Sequence, residues 1–168
     1  MKKLMLLGVA SAFSFGALAQ QWSVPAPQDF DQGYVCLDGV DQPIQVEFAD
    51  SVAQQARGLM QRTELGEYSG MLFRYPNQRP GGSGFWMYQT LIPLDIAYLA
   101  KDGSIVKTFT MMPCGSDDPR QCRSYAPGKP YHDVLELNAG FLAKHDIRIG
   151  DHVRVNPPLN DNEQCHNN

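Results

Sequence analysis

Basic residues are scarce and scattered in this 168-residue chain: 14 Lys and Arg stand against 18 Asp and Glu, a formal charge of −4. With neither a basic cluster nor a basic amphipathic helix, nucleic acid and anionic membrane surfaces are poor partners. Long apolar runs are also lacking. Past residue 18 no stretch of about 20 apolar residues occurs, so no stable membrane anchor is expected. Close-spaced ligand pairs are missing as well. Without Cys-x-x-Cys, His-x-His or Met-x-x-Met, no metal or cofactor is expected. A copper site using Met60, Met71, Met87, Met111 or Met112 with His132, His145, His152 or His166 is a less favoured reading, and nucleophilic catalysis is weaker again. No Gly-x-Ser-x-Gly motif supports a serine nucleophile.

What is present begins with compartment. Lys2 and Lys3 precede an apolar segment over residues 4–18, and Ala17-Leu18-Ala19 places small residues where a signal peptidase reads. This is the pattern of a secretory signal cleaved near Ala19, which points to a periplasmic or secreted protein. Loss of residues 1–19 would leave 12 basic against 18 acidic residues, a formal charge of −6. All four cysteines, Cys36, Cys114, Cys122 and Cys165, lie beyond that segment. An even count in an oxidising compartment reads as two disulfides, and the favoured pairing is Cys114 with Cys122 and Cys36 with Cys165.

Residues 20–35 carry Pro25 and Pro27 without periodicity and read as an exposed leader. Residues 36–155 read as one domain, and residues 156–168 as a polar tail tethered by Cys165. Ile44-Gln45-Val46-Glu47-Phe48-Ala49 alternates with period two, as a strand with one buried face does. Ser51-x-x-Gln54 is a capping-box pattern, with Val52, Ala56, Leu59 and Met60 at helical spacing and Gly58 within the helix. Gly70-Met71-Leu72-Phe73, residues 85–88, residues 94–99, Ile105 to Phe109 and Val134-Leu135-Glu136-Leu137 read as further strands. Residues 76–84 read as a mobile loop, Asp102-Gly103 as a hairpin turn, and Asn138 as a helix cap. Residues 147–155 alternate on both sides of Gly150-Asp151, which predicts two short strands about a sharp turn. About seven strands and one or two short helices give a mainly β (α+β) domain, a small, partly closed, cradle-loop-like β-barrel.

Several motifs occur in a fixed order: Arg57-Gly58-Leu59-Met60, Gly70-Met71-Leu72-Phe73, Phe85-Trp86-Met87-x-x-Thr90-Leu91-Ile92-Pro93-Leu94-Asp95, Pro113-Cys114, Leu135-Glu136-Leu137-Asn138-Ala139-Gly140 and Ile149-Gly150-Asp151. Over about residues 43–155 the chain resembles the DUF192 (UPF0127) family. The resemblance implies a compact, β-rich, often exported domain and no settled activity. The family commonly has a basic residue and Asn where this chain has Tyr88 and Gln89.

Asp95 and Glu136 place carboxyls inside apolar strands, where a charge is costly unless paired. Facing one another, they would share a proton and serve as an acid/base pair in a small hydrolase or lyase. The competing reading has Asp95 accepting bonds from a turn or pairing with Arg57 or Arg62. Trp86 and Tyr88, with Thr90 and Asn138, complete a polar and aromatic cleft suited to a small molecule, a sugar or a peptide. The preferred expectation is an exported, soluble binding or accessory module. Oligomeric state and ligand identity are not readable from the sequence.

Overall fold

The structure, a computed structural model, describes residues 22–160 and 162–165. The expected signal segment and His166 lie outside those residues. The elements follow in the order β1 (Asp31–Leu37), β2 (Ile44–Ala49), α1 (Val52–Arg57), β3 (Ser69–Arg79), β4 (Leu94–Leu99), β5 (Ile105–Met111), β6 (Tyr131–Asn138), α2 (Phe141–Lys144) and β7 (Val153–Val155), with one 3-10 turn at Pro119–Gln121. All strands join one sheet in the order β5-β4-β6-β3-β2-β1-β7.

The sheet curls until its two edges meet. Ser104 at the head of β5 bridges His152 just before β7. The Ile105 N–H donates to the Asp151 carbonyl at 2.8 Å, and the Gly150 N–H to the Ile105 carbonyl at 2.9 Å. The result is the expected mainly β half-barrel. Every pairing is antiparallel except β2 with β3. That parallel pair needs a crossover, which α1 and the following loop supply.

Side-chain alternation divides the sheet into two apolar faces. The concave face gathers residues from all seven strands, among them Val35, Val46, Leu72, Leu99, Leu135 and Val153, with Phe141 and Leu142 of α2. The opposite face of β3, β4 and β6 carries Met71, Phe73, Ile96, Tyr98 and Val134 and is roofed by Leu59, Met87 and Tyr125 from the long loops. On β6 the division falls between neighbours: Leu135 and Leu137 point one way, Val134 and Glu136 the other.

Ser51 caps α1 as its motif predicts: its Oγ accepts the Gln54 N–H, and its own N–H donates to the Gln54 Oε1. The helix stops earlier than its spacing suggests. Gly58 closes it at φ 47° and ψ −140°, a conformation open to glycine, so Leu59 and Met60 enter the core from the following loop. Val52, expected on the apolar stripe, is exposed. Strand β1 begins at Asp31, inside the expected leader, because pairing with β2 and β7 organises a segment that has little periodicity of its own. Strand β3 runs on through Pro76 to Arg79, where a loop was expected; its ladder with β6 is irregular between Arg74 and Arg79, which accommodates the proline.

Residues 85–88 form no strand. Only Phe85 makes an isolated bridge, to Tyr125, before the chain turns at Gln89 with φ 54°. Residues 147–150 are also turn, because Ile147 donates its N–H back to the Leu142 carbonyl at 2.9 Å and so closes α2. The sulfurs pair as favoured from the sequence, Cys36 with Cys165 and Cys114 with Cys122, with Cα separations of 5.6 and 5.5 Å. Among the described residues no helix is long and apolar enough to cross a membrane.

Candidate functional site

The cross-strand register separates the two buried carboxyls. Asp95 on β4 stands opposite Leu137, whereas Glu136 on β6 stands opposite Ile96. Residues directly opposite share a face. Asp95 therefore points with Leu137 toward the concave core, and Glu136 points with Ile96 toward the other face. The acid/base pair expected from the sequence does not form, because one residue of register sends the two side chains to opposite sides of the sheet.

Asp95 is fully satisfied where it stands. Its Oδ1 accepts the Thr110 hydroxyl at 2.7 Å and its Oδ2 accepts the Leu142 backbone N–H at 3.0 Å. Leu142 lies in the first turn of α2, whose own cap position is Gly140 at φ 86° and offers no side chain. A carboxylate from the neighbouring strand thus does the work of a missing N-cap. It takes neither arginine: Arg62 pairs with Glu47 at 2.5 Å, and Arg57 donates to the Pro25 carbonyl at 2.7 Å. Asn138 is not the cap either. Its Nδ2 donates to the Leu65 and Gly66 carbonyls at 3.1 and 2.9 Å and pins the loop after α1.

Glu136 is the contrast. It is 4% exposed, and no described residue hydrogen-bonds or ion-pairs with its carboxyl. Its strand neighbours on that face are Met71 and Ile96, which offer no donor. Burial alone pushes its carboxyl from the ordinary 4.5 up to about 8, so the group is neutral at pH 7. Close approach of the backbone is built in here as well. A Cβ on Gly70 would sit 2.5 Å from the Glu136 carbonyl oxygen, so only glycine lets β3 approach β6 at this point.

Glu136 lines a cleft of about 150 Å³. The end of α1 and the turn after it, Arg57 to Met60, form one wall; Gly84, Phe85, Trp86 and Thr90 form the other; Phe73 and Tyr75 rise from β3. Phe73 and Phe85 meet edge to face with centroids 4.8 Å apart. Trp86 keeps 45% of its surface exposed and leans on Tyr88 at 5.7 Å. Of the residues expected to bind, Trp86 and Thr90 join Glu136 in this cleft. Tyr88 is buried behind it, its hydroxyl donating to the Trp22 and Asp117 carbonyls at 3.4 and 3.5 Å. The loop closed by Cys114–Cys122 backs the same wall, since the Cys114 N–H donates to the Met87 carbonyl at 3.2 Å.

The soft donors of the copper reading are dispersed. Met71, Met87 and Met111 are core, while His132 and His152 lie beside Asp133 and Asp38. Among the described residues no three His, Cys, Asp or Glu side chains gather as a metal site would require.

The DUF192 family description, "Uncharacterized ACR", matches residues 34–155, most of the chain. This chain belongs to the DUF192 family. Two crystal structures share the fold of this DUF192 protein. A candidate transcription regulator from Sinorhizobium meliloti 1021 is 27% identical, with a TM-score of 0.65 over 77% of this chain and 98% of that one. A protein of unknown function from Novosphingobium aromaticivorans DSM 12444 is 30% identical, with a TM-score of 0.64 over 83% and 98%. No match was found among curated proteins.

The DUF192 motifs acquire physical roles in this frame: Gly58 lines the cleft, Gly70 lets β3 approach β6, Asp95 and Gly140 start α2, and Gly150-Asp151 turns the chain so that β5 and β7 meet. At the position where the family commonly has Asn, Gln89 adopts φ 54°, a conformation in which Asn is favoured. It is held there by Gln61, whose Nε2 donates to its Oε1 at 2.6 Å. Sequence reasoning missed Arg57, Met60, Phe73 and Tyr75 as walls of the cleft. Two of the quoted motifs contain the first three, but only tertiary pairing brings them to Glu136: the β2–β3 crossover for Arg57 and Met60, the β3–β6 ladder for Phe73.

Proposed function

We propose that this DUF192 protein is an exported, soluble binding or accessory module whose ligand seats one small group in the cleft above Glu136. The observation that carries the reading is the carboxyl itself, nearly fully buried, without a partner, and lining an open cleft. Buried polar groups in native proteins are hydrogen-bonded with few exceptions, and an exception at the base of a cleft fits a group that meets its partner in the ligand. A space of about 150 Å³ suits a group the size of one ring or one side chain. The two disulfides and the signal-like N-terminal pattern support export. The regulator name of the Sinorhizobium protein does not extend to DNA binding here, because the chain is acidic and has no basic cluster.

A second reading, a small hydrolase or lyase, would use Glu136 alone as acid and base. Its raised pKa of about 8 favours such a role. A thermal-shift screen of the oxidised protein against sugars, amino acids, peptides and amines tests the module, because a ligand at 100 times its Kd stabilises by about 2.7 kcal/mol. A shift that disappears in Glu136→Gln and weakens in Trp86→Ala supports the reading. A shift unaffected by both variants contradicts it, and turnover of a screened compound that ceases in Glu136→Gln establishes the enzyme instead.

A further inference from the structure

Resting on that reading, we infer that the cleft is a site for a primary alkylammonium group, which enters beside the exposed Trp86 and meets the Glu136 carboxylate. The polar side chains around the cleft decide the chemistry. Gln55 spends its Nε2 on the carbonyls of Ala49, Asp50 and Arg74, at 3.3, 3.3 and 2.9 Å. Arg57, the one cation among the lining residues, donates from Nη1 to the Pro25 carbonyl at 2.7 Å. The other polar side-chain groups of the lining residues are the Glu136 carboxyl, the Thr90 and Tyr75 hydroxyls and the Trp86 indole N–H. Arg57 retains N–H groups beyond the one bonded to Pro25, but an anion at the base of the cleft would meet the Glu136 carboxyl rather than a cation. A sugar would find few polar partners for its several hydroxyls.

A cation finds two complementary features. Four aromatic residues, Phe73, Tyr75, Phe85 and Trp86, line the space, and the negative faces of such rings attract an ammonium group. The carboxyl supplies the counter-charge. Empty, it is held neutral by burial; with an ammonium beside it, ionisation becomes favourable, since an opposite charge at contact distance stabilises the carboxylate. The binding step is then an exchange: the ligand enters as the cation, Glu136 gives up its proton to solvent, and a charge-assisted hydrogen bond forms between the two. The charged and titratable groups that face Glu136 are Arg57 from α1, Tyr75 from β3 and Tyr98 from β4. Burial pushes both tyrosines upward, so neither competes for the proton near neutrality.

Calorimetric titration of the full, oxidised protein at pH 6.5 with n-butylammonium, and separately with 1-butanol as its uncharged counterpart, tests this. Running each titration in phosphate and in Bis-Tris, a bulky tertiary amine outside the proposed ligand class, counts the protons exchanged. The expected result is saturable binding of butylammonium with release of about one proton, at least tenfold weaker in Glu136→Gln, and no comparable binding of butanol. Circular dichroism of Glu136→Gln confirms that it is folded, and Trp86→Phe, which keeps a ring in the wall, should retain binding. Butanol binding as tightly as butylammonium, with dependence on Glu136, would overturn the cationic class and leave the cleft as a binding site. Binding of neither probe would overturn the alkylammonium site and leave the module to the ligand screen; binding indifferent to Glu136→Gln would overturn both.

Discussion

Two carboxyls lie buried on adjacent strands of one sheet, and their surroundings are opposite in kind. Asp95 accepts one hydroxyl and one backbone N–H and starts a helix. Glu136, facing the other side, has apolar neighbours on both flanking strands and a cleft above it. A satisfied buried carboxylate is a structural part, whose removal strands the donors it held. An unsatisfied one costs the fold stability unless it stays protonated, and its presence is explained by something outside the fold.

The comparison is sharpest in the pH dependence of stability. Glu136 has a folded-state pKa of about 8 against an ordinary 4.5. Between those values the unfolded chain has released the proton that the native state keeps, so stability falls as pH rises from about 4.5 to about 8, by on the order of 5 kcal/mol. Urea unfolding across that range should show this slope in the native protein and lose it in Glu136→Gln, making the variant the more stable of the two at pH 8. Parallel slopes in the two proteins would place Glu136 in a polar setting like that of Asp95.

Asp95→Ala should act in the opposite sense. It leaves the Leu142 N–H and the Thr110 hydroxyl without an acceptor, at a cost of about 3 kcal/mol in urea unfolding at pH 7. A third test separates the faces. Replacing Cys114 and Cys122 together by Ser opens a loop that braces the cleft wall and should cost about 2–3 kcal/mol by the chain-entropy argument. Butylammonium binding should weaken with it, while amide exchange at Leu142, on the Asp95 side, stays protected. The smallest effect belongs to Thr110→Val, about 1.5 kcal/mol, because Asp95 keeps its bond to Leu142. A loss as large as that of Asp95→Ala would mean that the helix bond contributes nothing on its own.

Period-two alternation made the strand at 44–49 and the inward turn of Glu136 readable, and the capping box made α1 readable. Cysteine parity pointed to two disulfides, and of the three possible pairings the favoured one is the one that forms. Register was not readable. Whether Asp95 meets Glu136 or passes it depends on which residue of β4 lies opposite which of β6, a matter settled by tertiary pairing. The cleft failed to emerge for a similar reason: Phe73 and Tyr75 reach Glu136 through the β3–β6 pairing and Arg57 through the β2–β3 crossover, neither of which leaves a local pattern. At residues 85–88 apolar composition suggested a strand, yet the segment serves as a roof over Phe73 and Tyr98, held by ring contacts at 4.8 and 5.9 Å in place of a ladder.

The central claim, that Glu136 is an unpaired neutral acid open to the cleft, is tested most directly by carbon-detected NMR titration of its side-chain carboxyl in the oxidised protein. The account predicts a midpoint near pH 8 that moves well down when n-butylammonium is present. A midpoint between pH 4 and 5 without ligand, in the ordinary glutamate range, would contradict it.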